Sequence, residues 1–254
     1  MPAFLFCKRD VHMQYLNFET LQNVSSEGFK QRQPYPWVHI ESSLTAEGFE
    51  RLRTSLPSIE SGFARHVDVK RGHGQAPHNR YLLHYRSGIQ IEEPWREFIA
   101  ELRGPAYQSF LRRILGNHNF SPTFEWHYAW QGCAVSPHCD AARKRATHIF
   151  YFNDEDWNSS WGGQMLVFDD ERKWRTHSAP AFDQLKVAAT VEPRANTSLL
   201  FQRTPRSWHG VLPLQCPEGR LRKIFSVTIN VPNLQVWWRK VRGKDPAGFP
   251  LQAA

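Results

Sequence analysis

SPHCDAARKRATHIFYFND (residues 136–154), WGGQMLVFDD (161–170) and SLLFQRTPRSWHGVLPLQCPEGRLRKIFSVTINV (198–231) are built from short apolar runs closed by Gly, Pro, Asn or Asp. THIFYFN, QMLVF, SLLFQ and KIFSVTINV are β-branched and aromatic and of strand length. KVAATVE and, upstream, TFEWHYAW have the same texture, so β-structure runs over residues 121–232. Many short strands at this spacing predict a barrel or sandwich.

Upstream of this stretch the pattern is helical. Thr45 can cap a helix with Phe49, Leu52 and Leu56 on one face and Pro57 as the stop. Pro94 begins a helix that buries Trp95, Phe98, Ile99 and Leu102. Gly104-Pro105 breaks it, and a second helix carries Phe110, Leu111, Ile114 and Leu115. WVHIES (37–42) alternates as a strand does, whereas 60–80 is rich in Gly and His, has no period and is expected to be a long loop. The expected organisation is one domain over 1–254: an N-terminal arm (1–36), a helical buttress with the first strands (37–120), a β-core (121–232) and a C-terminal tail (233–254). The fold class is mixed α+β with a mainly β core buttressed by N-terminal helices.

A chain of 254 residues with 41% apolar content can bury one good core. No apolar run approaches the length that spans a bilayer, and MPAFLFCKRD is too short for a signal-peptide core, so the expected location is cytoplasmic. Cys7, Cys133, Cys139 and Cys216 show neither disulfide nor metal spacing. The net charge of +8 is spread over Lys and Arg interleaved with acids, as in DDERKWR. That reads as a solvated surface rather than a nucleic-acid stripe, and its positive field suits anionic small molecules.

Two His-x-Asp triplets occur, His66-Val67-Asp68 and His138-Cys139-Asp140. The second is preferred on context, since strands surround it. Residues two apart on extended chain point the same way, so His138 and Asp140 can reach one ion with Cys139 turned away. A third ligand must come from another strand. His209, just after SLLFQ, is the candidate; His127 and His148 sit mid-strand and His177 in a charged loop. Two histidines and one carboxylate on one face of a metal leave coordination positions open, the pattern of non-haem Fe(II) oxygenases.

The stretch resembles the prolyl-hydroxylase-like branch of the Fe(II)- and 2-oxoglutarate-dependent dioxygenases. The resemblance rests on His138-x-Asp140, IFYFN followed by Trp157, Gly162-Gly163 before QMLVF, Pro193 with the LLF strand, His209-Gly210-Val211 and an Arg-bearing last strand. It implies a double-stranded β-helix, or jelly roll. It also implies Fe(II) on His138, Asp140 and His209, with 2-oxoglutarate and O2 as co-substrates. Tyr151 would donate its hydroxyl to the distal carboxylate of 2-oxoglutarate and Arg222 would pair with it, a role for which the planar guanidinium fork is suited. Arg220 shares the parity of Arg222 and is its rival; Arg222 is favoured because the β-run begins there. The implied reaction hydroxylates an unactivated C–H of a small-molecule or peptide substrate, with succinate and CO2 as co-products.

Other functions fit less well. An AlkB-like nucleic-acid demethylase carries Arg-x-Asn-x-Thr-x-Arg on its last strand, and RKIFSVTIN lacks the Asn and the second Arg. A zinc hydrolase using the same triad has no use for an Arg/Tyr carboxylate clamp. Substrate shape is expected from the two long loops, 60–80 and 171–186, both rich in basic residues and both expected to border the metal pocket. Trp237-Trp238 is expected to cover a barrel face.

Overall fold

The computed structural model of the protein describes residues 14–86, 88–231 and Trp238. Two short helices come first, α1 (Phe18–Asn23) capped by the Asn17 side chain and α2 (Ser26–Gln31) capped by Ser25. Strand β1 (Trp37–Glu41) leads to α3 (Ala46–Thr54), whose Thr45 hydroxyl accepts from Gly48 N–H at 3.0 Å. Strands β2 (Ala64–His66) and β3 (Arg80–His84) precede α4 (Glu93–Arg103) and α5 (Pro105–Leu115), separated at Gly104. The remaining strands are β4 (Ser121–Ala129), β5 (Val135–His138), β6 (Lys144–Tyr151), β7 (Met165–Asp169), β8 (Lys186–Val191), β9 (Thr197–Gln202), β10 (His209–Val211) and β11 (Arg222–Asn230).

They form two antiparallel sheets. The larger has seven strands in the order β1-β9-β6-β11-β4-β3-β2; the smaller has four, β5-β10-β7-β8. Strand alternation fixes what each face of the large sheet meets. Phe124, Trp126, Phe150, Phe225, Val227 and Ile229 turn outward and pack with Trp95, Phe98, Leu102 and Leu111 of the helices. Ile149, Tyr151, Leu199, Phe201 and Ile224 turn inward against Met165, Val167, Val191 and Val211 of the small sheet. Both faces at the centre of the large sheet are therefore buried, and β6 and β11 are buried along most of their length. This is the jelly roll backed by helices that the sequence predicts.

Three expectations need revision. Residues 18–31 are helical, with Leu21 and Phe29 buried among the buttress helices, so this part of the N-terminal arm joins the core. His66 lies on a strand, because Ala64–His66 pairs with Arg80–Leu82, although neither segment has enough apolar residues to reveal a period. Helix α3 ends at Thr54, three residues before Pro57, with Leu56 half-buried beyond it. Cys7, Trp237 and the expected C-terminal tail apart from Trp238, which is exposed, lie outside the described residues.

Candidate metal centre

The short strands β5 and β10 align two imidazoles. His138 stands directly opposite His209 in the antiparallel pair, and the ring centroids are 4.3 Å apart. Asp140 follows just past the end of β5. One ligand atom from each of the three residues lies within 4.8 Å of the others, and all three side chains are buried. The tautomers follow from the hydrogen bonds. His138 Nδ1 lies 2.9 Å from Ser136 O, and His209 Nδ1 lies 2.9 Å from Ser207 O. A carbonyl only accepts, so each Nδ1 carries the proton and each Nε2 keeps its lone pair for a cation.

Electrostatics support the same assignment. Burial is the main cause that lowers both histidine pKa values, with His209 and His78 adding to it at His138, so both rings are neutral. Burial alone would raise Asp140. The charge of Lys144, with its hydrogen bond, leads the effects that outweigh it and hold the carboxyl well below its usual range. Lys144 Nζ donates to Asp140 Oδ1 at 2.9 Å, and the Thr147 hydroxyl donates to Oδ2 at 2.8 Å, which fixes the carboxylate plane. The set is an anion and two neutral nitrogens on one side of a common point, a donor set that suits a divalent metal.

These residues lie on a cavity of about 260 Å3 between the sheets. Ile149, Ile224, Ser226 and Arg222 form its large-sheet wall. Arg222 is buried; its Nε donates to Gly163 O at 2.8 Å, while Nη2 has no hydrogen-bond partner. The guanidinium lies 5.5 Å from the ring centroid of Tyr151, whose hydroxyl is also buried without a partner. Burial pushes the Tyr151 hydroxyl up to about 12, against the opposing effect of Arg222, so it is a donor. Two orphaned donors side by side in a buried pocket call for an anionic acceptor. Gly163 makes room for the arginine: its φ is +89°, and a Cβ there would lie 2.9 Å from Arg222 Cδ. Arg220 is not part of this clamp. It lies before β11 in the turn, pairs with Asp154 and Asp156, and faces the Trp161 ring.

Residues 125–231 match the 2OG-Fe(II) oxygenase superfamily. The chain carries a 2OG-Fe(II) oxygenase domain. The chain is similar in structure to a Pseudomonas putida prolyl-4-hydroxylase (TM-score 0.56, 17% identity, 82% of this chain and 97% of that one). It is also similar to a prolyl hydroxylase from Trichoplax adhaerens in complex with a hypoxia inducible factor oxygen degradation domain peptide fragment (TM-score 0.60, 19% identity, 84% and 90%). The non-heme alpha ketoglutarate dependent carbocyclase SnoK from nogalamycin biosynthesis matches as well (TM-score 0.58, 14% identity, 92% and 96%). At these identities the likeness is one of fold. Among curated proteins, none matches the chain by sequence. Fe(II), 2-oxoglutarate and O2 are the cofactor and co-substrates of the family, and His138, Asp140 and His209 form its candidate iron site. No helix among the described residues is long and apolar enough to cross a membrane.

Of the other histidines, His127 lines the cavity from β4, while His148 and His177 are occupied elsewhere. His148 faces the helices and bonds Tyr107 and Ser198 through its two nitrogens, each at 2.9 Å. His177 stacks on His73. His66 and Asp68 lie outside the cavity lining. Of the two long loops, 60–80 reaches the cavity with Arg71, His78 and Arg80. The expectation that 171–186 also borders it is not met. That segment packs Trp174 and Phe182 against Cys139, Phe168 and Trp208, and it props the other loop through His177 on His73 and Ser178 O on Gln75. Cys139 is thus packed from behind, and burial raises its thiol to about 12, far from a reactive thiolate.

Sequence reasoning missed Thr147 and Glu125 and set His127 aside, although all three carry a readable signal. Thr147 shares parity with Ile149 and Tyr151, and Glu125 and His127 alternate with the outward Phe124, Trp126 and Tyr128. Arg71, His78 and Arg80 belong to the basic set of the 60–80 loop expected at the pocket.

Proposed function

We propose that this oxygenase hydroxylates an unactivated C–H bond, with His138, Asp140 and His209 as the iron ligands and Arg222 with Tyr151 as the 2-oxoglutarate clamp. When bound, Fe(II) and 2-oxoglutarate supply O2 activation coupled to decarboxylation of the keto acid to succinate and CO2, the second oxygen atom going to the substrate as hydroxyl. The observation that carries the reading is the pair of orphaned buried donors, Tyr151 Oη and Arg222 Nη2, in one cavity with a neutral-imidazole and carboxylate triad.

The residues fit these groups. Each imidazole presents Nε2 because a backbone carbonyl holds Nδ1–H, so no proton need be displaced when a cation binds. Thr147 and Lys144 each donate to one Asp140 oxygen and so hold the carboxylate in one orientation beside the two imidazoles. Arg222 is aimed by Gly163 O and offers Nη2 to a carboxylate, with the Tyr151 hydroxyl donating beside it. Ile149, Ile224, Val211 and Phe201 exclude water between the two subsites and so strengthen both sets of interactions.

The substrate is a small molecule or a peptidyl side chain. The Trichoplax relative was solved with a peptide, and the carbocyclase belongs to nogalamycin biosynthesis, so the fold accommodates both. The test is 2-oxoglutarate-dependent succinate release by the Fe(II)-loaded enzyme over metabolite and peptide sets, with mass spectrometry of the stimulating compounds. A product heavier by one oxygen atom and equimolar with succinate supports hydroxylation. A product lacking added oxygen would refute it.

A further inference from the structure

The iron and 2-oxoglutarate subsites leave one wall of the cavity without a role. Arg71, His78 and Arg80 line it from the loop side, and Glu125 and His127 line it from β4. Arg80 Nη1 donates to His78 O at 3.1 Å, while its Nε is buried with no hydrogen-bond partner. Arg71 donates from Nε and Nη2 to the Gln75 side-chain oxygen at 3.3 and 3.0 Å, and its Nη1 lies against His78 Nδ1. The His78 ring in turn lies 5.0 Å from that of His138, so this wall adjoins the candidate iron site.

Neither arginine has a carboxylate within ion-pairing distance among the described residues. Glu125, the carboxylate of that wall, is already satisfied: His84 Nδ1 lies 3.1 Å from one oxygen and His127 Nε2 lies 2.9 Å from the other. Burial lowers the pKa of both arginines, to about 10 at Arg71, where Arg80 lowers it further; Asp140 at Arg71 and Glu125 at Arg80 act the other way without outweighing burial. Two cations held together in a partly desolvated wall call for an anion. The co-substrate does not supply it on the reading above, since its charges are taken up by Fe(II) and Arg222. Across the whole cavity five cationic side chains line the walls against two carboxylates.

We propose that the molecule oxidised is a small carboxylic acid, its carboxylate held by Arg80 and Arg71 beside the iron. The proposal rests on the iron and 2-oxoglutarate assignment. The unpartnered Nε–H of Arg80, with the charge of Arg71 on the same wall, suits a carboxylate, which a charge-assisted N–H···O− contact both binds and orients. The cavity of about 260 Å3, shared with 2-oxoglutarate, is at the small end for ligand sites and restricts what enters to a compact group. Anchored there, the acid presents the carbons near its carboxylate to the metal.

The test uses the full-length protein, loaded anaerobically with Fe(II) and saturating 2-oxoglutarate. Binding of acetate, butanoate, benzoate and phenylacetate is compared with that of the corresponding primary amides by saturation-transfer NMR. At least one acid should bind about tenfold or more tightly than its amide. Arg80→Gln and, separately, the loop variant Arg71→Gln should each weaken that acid about tenfold or more while the affinity for 2-oxoglutarate stays at the wild-type value. Failure of every acid to bind, equal binding of acids and amides, or acid binding unchanged in both variants overturns the proposal. The visible absorption of the Fe(II)–2-oxoglutarate complex separates the two levels. If it forms but acids show no preference, only the substrate class falls. If it fails to form in the wild type, the site assignment falls and the proposal with it.

Discussion

Replacing Gly163 by Ala should weaken 2-oxoglutarate binding without touching any group that contacts the co-substrate. Gly163 has φ +89°, so an alanine there carries backbone strain of about 1–2 kcal/mol. Its Cβ would also stand 2.9 Å from Arg222 Cδ and 3.2 Å from Nε, distances that force the guanidinium to move. The Nε–H bond to Gly163 O, 2.8 Å long, aims that guanidinium. Misplacing it forfeits a charge-assisted hydrogen bond, about 1.5–3 kcal/mol, or a roughly ten- to hundredfold rise in the 2-oxoglutarate dissociation constant. Gly162→Ala is the control. Its φ is +79°, so the strain is alike, but its nearest neighbour is Pro213 O at an ordinary 3.5 Å. Both variants should lose similar thermal stability, and only Gly163→Ala should lose 2-oxoglutarate affinity in an anaerobic titration. Equal affinity losses in the two variants, or none in either, would refute the idea that Gly163 positions Arg222.

Arg222→Ala should raise the 2-oxoglutarate requirement by about a hundredfold or more, because it strands a buried carboxylate at a cost of about 3–5 kcal/mol, whereas Arg220→Ala should leave it unchanged; steady-state kinetics decide. Tyr151→Phe should weaken 2-oxoglutarate by about 1–2 kcal/mol yet leave the melting temperature of the free protein unchanged, since the hydroxyl has no protein partner to lose. Stability should fall as the pH drops from about 6.5 toward 3. Burial lowers His148 to about 3 and His127 to about 4, against the ordinary 6.5, so over that window the unfolded chain binds protons that the folded chain does not. Each histidine adds a slope of about 1.4 kcal/mol per pH unit, and denaturant titrations of His148→Gln, measured at several pH values, should show a shallower dependence.

The core of the fold was legible because β6 and β11 alternate between two buried environments and because proline and glycine punctuate α4 and α5. The triad was legible for a related reason: His138-x-Asp140 is local, and the strand run before His209 marks a strand end. What stayed hidden depends on contacts distant in sequence. Strand β2 is specified by its pairing with β3 and not by its own composition. The 171–186 segment is held by Trp174 and Phe182 in a side cluster, so its charges gave no clue that it lies outside the cavity lining. Arg80 is expected at the pocket as part of a loop; its place at the start of β3, beside β4, is a fact of sheet order that no local pattern encodes.

The measurement that bears most directly on the central claim is an anaerobic Fe(II) and 2-oxoglutarate titration of the wild type and of two sets of variants, followed by visible absorption. The wild type should bind one Fe(II) and develop the absorption of a chelated keto acid. His138→Ala, Asp140→Ala and His209→Ala should each abolish that absorption, and His66→Ala and Asp68→Ala should retain it in full. Wild-type absorption in the first set, or its loss in the second, would contradict the assignment of iron to His138, Asp140 and His209.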